Sequence, residues 1–168
     1  MTEYLSEAVV LDKETNGDLD VRVSLFTKKF GKLKAKAKSA RRIVSKLSPH
    51  LEPGNMIQAR LIEKNGLQIV DALKQSRLDI APGNSYFLNQ MIAEGEPDLR
   101  LWHSLVSEQF EWARILEILG WDPREALCVV CAVRKPSFFS IAKQELFCAN
   151  CASNFNRSAL LYIDTNAK

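Results

Sequence analysis

Phe26-Thr-Lys-Lys-Phe-Gly-Lys-Leu-Lys-Ala-Lys-Ala-Lys-Ser-Ala-Arg-Arg-Ile-Val-Ser-Lys46 is the stretch around which the rest of the chain is read. From Leu33 to Lys38 it alternates small apolar residues with lysine. An extended strand would carry Leu33, Ala35 and Ala37 on one face and Lys34, Lys36 and Lys38 on the other. Same-face ammonium groups then recur about every 6.6–6.8 Å, a row able to follow a chain of phosphates. Gly31 separates this strand from the preceding Val-Ser-Leu-Phe segment. Between Val21 and Leu51 stand Arg22, Lys28, Lys29, Lys32, Lys34, Lys36, Lys38, Arg41, Arg42 and Lys46, with no Asp or Glu. These ten cations exceed the whole-chain net charge of +3, so the remainder carries −7. Counterion release depends on the patch that meets the phosphates, and a segregated charge of this kind points to nucleic acid.

Working outward, short strands surround the basic stretch. Residues 5–12 read as a first strand, closed by the polar Lys-Glu-Thr-Asn-Gly-Asp turn. Leu19 to Phe26 reads as a second, with Leu19, Val21, Val23 and Leu25 on one face and Asp20, Arg22, Ser24 and Phe26 on the other. Phe26 is thereby either a core residue or a platform for a base. Glu52-Pro53-Gly54-Asn55 is a turn, Met56 to Glu63 a fourth strand, Asn65-Gly66 a hairpin signal, and Leu67 to Leu73 a fifth. Five short strands in some 70 residues predict a small barrel, OB-like in the first instance and SH3-like as the alternative.

At Ala81-Pro82-Gly83-Asn84 the spacing becomes helical. Ser85 to Glu94 reads as a short helix. Asp98 reads as the N-cap of a longer one reaching Leu119, with Gly120 as its C-terminal signal. Trp102, Leu105, Val106, Phe110, Ala113, Leu116 and Leu119 form its apolar stripe, expected to pack on the barrel and the other helix. The fold class is therefore α+β: a five-stranded OB-like barrel over 1–80, then a helical domain over 81–168 that carries a cysteine module at 128–151.

Cys128-Val-Val-Cys131 and Cys148-Ala-Asn-Cys151 are two Cys-x-x-Cys pairs with sixteen residues between them. That spacing is the sequence form of a four-thiolate zinc site, one structural Zn2+ per chain. Four protein ligands leave no open position for water, so the ion would staple a small module and perform no chemistry. Phe138, Phe139, Ile141 and Phe147 between the pairs are expected to pack over it.

His50 and His103 lie in no metal or nucleophile motif and read as partly exposed structural residues. Phosphate-loop, dinucleotide and nucleophile-elbow motifs are all missing from the sequence, and no catalytic residue is expected. The polar N-terminus is unlike a signal peptide, and no apolar run approaches the roughly 18 residues of a membrane span. The expectation is a soluble intracellular protein.

Three patches resemble the RecO family, the bacterial recombination mediators. Val23-Ser-Leu-Phe-Thr-Lys-Lys-Phe-Gly-Lys-Leu-Lys-Ala-Lys-Ala-Lys-Ser-Ala-Arg-Arg looks like the family's strand–turn–strand with its basic tail. Leu119-Gly-Trp-Asp-Pro123 ahead of Cys128-x-x-Cys131 looks like its approach to the zinc module, and the second cysteine pair completes it. The chain resembles a short variant: seventeen residues follow Cys151, and Lys143-Gln144-Glu145 stands where Gly-Gly is usual. The resemblance implies an OB-fold that binds single- and double-stranded DNA, anneals complementary strands, and works beside RecR and the single-strand DNA-binding protein to load the recombinase RecA. It also implies a bacterial cytoplasmic, nucleoid-associated protein. On the residues alone, an RNA-binding OB protein of translation or ribosome assembly remains open, as does an adaptor whose basic stretch is a solvated face. Lys34, Lys36, Lys38, Arg41 and Arg42 are the expected principal phosphate contacts, with Lys28, Lys29 and Lys32 at the rim and Lys46 beyond.

Overall fold

A computed structural model describes residues 2–80 and 82–163. Met1, Ala81 and residues 164–168, which the expected domains and linker include, lie outside these. The chain divides into two compact units, Met1–Leu99 and Arg100–Lys168. The first unit thus takes in the first helix, which packs on the first strand of the barrel.

The first unit is a closed barrel of β1 (Glu3–Asn16), β2 (Asp20–Thr27), β3 (Gly31–Ala37), β4 (Asn55–Glu63) and β5 (Leu67–Arg77), in the order β1-β2-β3-β5-β4. Every neighbouring pair is antiparallel except β3 and β5, which meet in parallel at Lys36 and Gln68. Closure through that pair, with β1 joining β4, is the OB arrangement and removes the open edges. The alternation read from sequence builds the interior. Val21, Val23 and Leu25 of β2 and Ala35 and Ala37 of β3 are all in one core with Ile57, Ala59 and Leu61. Leu25, Ile57 and Leu61 have no exposed surface, and each such aliphatic contributes about 1.5–3 kcal/mol. Leu19 falls just outside β2 and is largely exposed. At the β4–β5 turn Asn65 and Gly66 both take positive φ, 51° and 93°, as an Asn-Gly hairpin requires.

Helix α1 (Pro82–Met91) lies against β1. It buries Ser85, Leu88, Asn89 and then Ile92, a spacing of three, one and three that marks one helical face. Asn89 Nδ2 donates to Asp12 Oδ2 of β1 at 3.1 Å. The chain after α1 then returns to β3. Gly31 has φ 70°, and a Cβ there would lie 2.3 Å from the backbone carbon of Glu96. Only glycine admits the 94–96 segment this closely. Gly95 N donates to Lys32 O at 2.9 Å and pins it.

The long helix expected from Asp98 to Leu119 is two: α2 (Leu99–Val106), which begins at the last residue of the first unit, and α3 (Trp112–Ile118). The break has a local cause. Ser107 Oγ donates to the carbonyls of Ser104 and Gln109, offering the backbone an alternative to the helical ladder, and Glu111 is extended. The apolar stripe survives the break, with Trp102, Leu105, Ala113 and Leu116 buried. Gly120, at φ 100°, ends α3 as expected. Trp121 N reaches Leu116 O at 2.7 Å and Gly120 N reaches Glu117 O at 3.1 Å, the paired bonds of a Schellman cap. Beyond it, β6 (Phe138–Ser140) pairs with both β7 (Glu145–Phe147) and β8 (Leu160–Tyr162), and α4 spans Ala149–Ala152.

Candidate nucleic-acid interface and metal centre

The cations of the basic stretch do not form one uniform row. On β3 the outward positions are Lys32, Lys34 and Lys36, and the register sets Ser24 of β2 opposite Lys34 and Arg22 opposite Lys36. Directly opposed side chains stand about 4.5–5.5 Å apart at Cβ, so Arg22 widens the row onto β2. The alternation placed Arg22 on the outward face, but its place beside Lys36 needed the strand register.

Two carboxylates fold onto this face. Lys34 Nζ meets Glu94 Oε1 at 2.6 Å, and Lys36 Nζ meets Asp20 Oδ2 at 2.7 Å. The Lys34 ammonium holds the Glu94 carboxyl below its ordinary value. Lys36, followed by the Ser39 N–H, does the same to Asp20. Lys28, expected at the rim, pairs with Glu7 at 2.7 Å. All three pairs are substantially exposed, so each is weak and exchangeable.

Lys32 is set apart from the other cations of β3 by its burial. It was expected as a rim contact for phosphate, yet it is 6% exposed. Its ammonium donates to the carbonyl of Asn89 and, at 3.0 Å, to that of Ile92, where α1 ends. A cation there satisfies carbonyls left open by the helix terminus and complements its dipole. Burial, and then the neighbouring Lys34 charge, push its pKa down. Phe26 is likewise fully buried and offers no face to a base.

The remaining cations are presented differently. Lys29 is exposed at the β2–β3 turn. Lys38, Arg41, Arg42 and Lys46 are exposed along the loop that leaves β3, and none forms a salt bridge among the described residues, although the Lys38 charge is felt by Asp20. Arg41 anchors that loop: its N–H reaches Leu19 O at 2.9 Å and its guanidinium reaches Gly17 O at 3.1 Å. Arg22, Ser24, Lys34 and Asn89 also line a polar crevice of about 260 Å³ beside α1.

The four cysteines do come together. The Sγ atoms of Cys128, Cys131, Cys148 and Cys151 all lie within 4.8 Å of one another. The Cys131–Cys148 separation is 3.9 Å, against about 2.05 Å in a disulfide. A tetrahedral ion with metal–sulfur bonds of about 2.3 Å has sulfur–sulfur edges of about 3.8 Å. The site fits such an ion. Its backbone is arranged for this: Ala132 takes φ 54° and donates to Cys128 O at 2.8 Å, while Cys148 opens α4. Burial raises the Cys128 thiol, but the N–H groups of Cys131, Cys148 and Val130 outweigh it and lower the pKa to about 6. Cys151 is pushed up to about 12, first by the Cys148 thiol. Thiols packed this closely cannot all ionise unaided, and a bound dication would let them. Phe139 and Phe147 are fully buried in the module, and Phe147 packs on Phe155 at 4.8 Å between ring centres.

His50 is structural, as expected: its Nδ1 accepts the Lys74 N–H at 3.0 Å. His103 is exposed. No helix of the described residues is long and apolar enough to cross a membrane.

Comparison with known proteins agrees with this architecture. Residues 1–77 match the family model described as Recombination protein O N terminal. The chain is 25% identical over 176 residues to the DNA repair protein RecO of Bifidobacterium longum (strain DJO10A), spanning 88% of this chain and 74% of that protein. It is 28% identical over 182 residues to DNA repair protein RecO of Thermodesulfovibrio yellowstonii, spanning 93% and 73%. The counterpart in Geobacter metallireducens is 29% identical over 179 residues, spanning 90% and 73%.

Proposed function

Since the chain belongs to the RecO family of DNA repair and recombination proteins, we propose that it acts without catalysis, binding single- and double-stranded DNA and annealing complementary strands. The observation that carries this reading is the outward cationic face of β2 and β3, continuous in sequence with the loop bearing Lys38, Arg41, Arg42 and Lys46. Two complementary strands repel through their phosphates. A protein that neutralises both backbones lowers that barrier without forming or breaking a bond. Lys34 and Lys36, with Arg22 beside them, serve one strand once phosphate displaces Glu94 and Asp20. The loop cations, which need no such exchange, serve the other. Lys28 and Lys29 lie at the rim.

The cysteine cluster holds one structural zinc in this reading, because soft thiolates in a closed tetrahedral shell suit that ion. The family resemblance extends the reading to recombinase loading with RecR and the single-strand DNA-binding protein in a bacterial cytoplasm, on the nucleoid. Co-elution of the purified full chain with each partner tests that extension.

The decisive experiment is annealing of complementary oligonucleotides without ATP or magnesium, alongside competition between DNA and RNA strands of equal length. Acceleration that is lost in Lys34→Glu/Lys36→Glu/Lys38→Glu, with the melting curve nearly unchanged, supports the reading, since exposed substitutions cost little stability. Annealing by the charge-reversed protein at the parent rate in low salt would refute it. Preference for RNA would transfer the site to the RNA-binding alternative.

A further inference from the structure

The loop after β3 carries an apolar tip that the fold does not use. Ser45 N donates to Arg42 O at 2.9 Å, closing a four-residue turn whose two central positions are Ile43 and Val44. Turn centres ordinarily take Pro, Gly, Asn or Asp, which supply the dihedrals or bond locally; β-branched aliphatics do neither. Both side chains stand in solvent, Ile43 at 104% and Val44 at 84% relative exposure, the two most exposed large apolar residues described. On either side stand Arg41, Arg42 and Lys46, with Lys38 just behind. The base of the loop is tied down by Arg41 N to Leu19 O and by Arg42 N to Ser39 O at 3.1 Å. The result is a fixed apolar point between cations.

We propose that the Ile43–Val44 tip is a wedge that enters a base step of bound DNA while Arg41, Arg42 and Lys46 hold the flanking phosphates. The inference rests on the DNA-binding reading above and assigns the tip a separate task. Branched aliphatics inserted between bases unstack them, and the surrounding phosphate contacts offset that cost. Two side chains match the size of one base step. They are too little for a bilayer, where even a whole myristoyl chain binds only marginally. A strand tracking the Lys34/Lys36 face of β3 also leads towards this loop, because the loop leaves the end of that strand. An unstacked step is where an incoming strand can begin to pair, so the wedge would promote annealing at duplex ends and junctions.

The test uses the full chain, with Ile43→Ser/Val44→Ser as the variant, and a duplex carrying a base analogue whose emission rises on unstacking. The parent protein is expected to raise that emission at saturation. The variant should melt as the parent does and bind single strands within about twofold, yet lose the emission rise and about tenfold in duplex affinity. Saturable duplex binding by the parent without any emission rise overturns the wedge alone. An undiminished rise in the variant overturns it equally. Failure of the parent to bind DNA at all overturns both the wedge and the function proposed above. Anionic phospholipid vesicles form the last arm: parent binding to vesicles that the variant loses, with no unstacking of DNA, would overturn the wedge in favour of a lipid-surface anchor.

Discussion

Glu94→Gln should make this protein bind DNA more tightly, an unusual direction for a substitution outside the basic stretch. Glu94 reaches Lys34 across the barrel surface at 2.6 Å, with the two side chains 56% and 49% exposed. Phosphate must therefore compete with a carboxylate for this cation. An exposed pair of this kind is worth a factor of about 1.4–5 in an equilibrium constant, which sets the expected gain in affinity. Removing the carboxylate also removes its repulsion of nearby phosphates, felt over about 10 Å at 0.1 M salt. If one further phosphate is then neutralised, the slope of log affinity against log salt should steepen by about 0.7 for single strands. Fluorescence anisotropy of a labelled oligodeoxythymidine, titrated at neutral pH and several salt concentrations, reads both quantities. Glutamine keeps the size of the side chain, and Gly95 N to Lys32 O keeps the segment in place, so the melting temperature should change little. Asp20→Asn is the matched variant at Lys36, because the amide oxygen can still accept the Ser39 N–H. If both variants bind with the parent's affinity and slope at low salt, phosphates do not reach this face and the interface has been drawn on the wrong surface.

The other expectations are more direct. With about five cations engaged, the parent's slope on single strands should be near −3.5, and a salt-independent affinity would contradict phosphate-dominated binding. Metal analysis should find one zinc per chain. Cys128→Ser should melt the second unit, since structural zinc contributes an apparent ~10–16 kcal/mol in finger peptides, while strand content measured by circular dichroism persists. Gly31→Ala should lower the melting temperature by several degrees, because a Cβ 2.3 Å from the Glu96 backbone must displace the 94–96 segment. Against pH, Glu94 lies below its ordinary value of 4.5, so its contribution to stability is complete above that pH and is lost as pH falls through the lowered value. The small loss of melting temperature that Glu94→Gln brings at neutral pH should accordingly vanish on acidification.

Much of this molecule is determined by neighbours in sequence. Alternation along Val21–Leu25 and Ala35–Ala37 decides which side of each strand enters the barrel, because side chains in a strand change face at every residue. Asn65-Gly66, Gly120 and the two Cys-x-x-Cys pairs announce a hairpin, a helix end and a metal cluster for equally local reasons. The break at Ser107 was local too, but a hydroxyl that competes with the helical ladder leaves no mark on apolar periodicity. Which lysines are free is another matter. Lys32 and Lys34 are two residues apart and look equivalent, yet one is buried on the carbonyls of Asn89 and Ile92 and the other meets Glu94 in solvent. Those partners lie some sixty residues away and arrive only when α1 folds back on the barrel and Gly31 lets the 94–96 segment pass. Charge along a chain is additive, but whether a given charge faces phosphate, carboxylate or a helix end depends on what the folded backbone brings within a few ångströms of it.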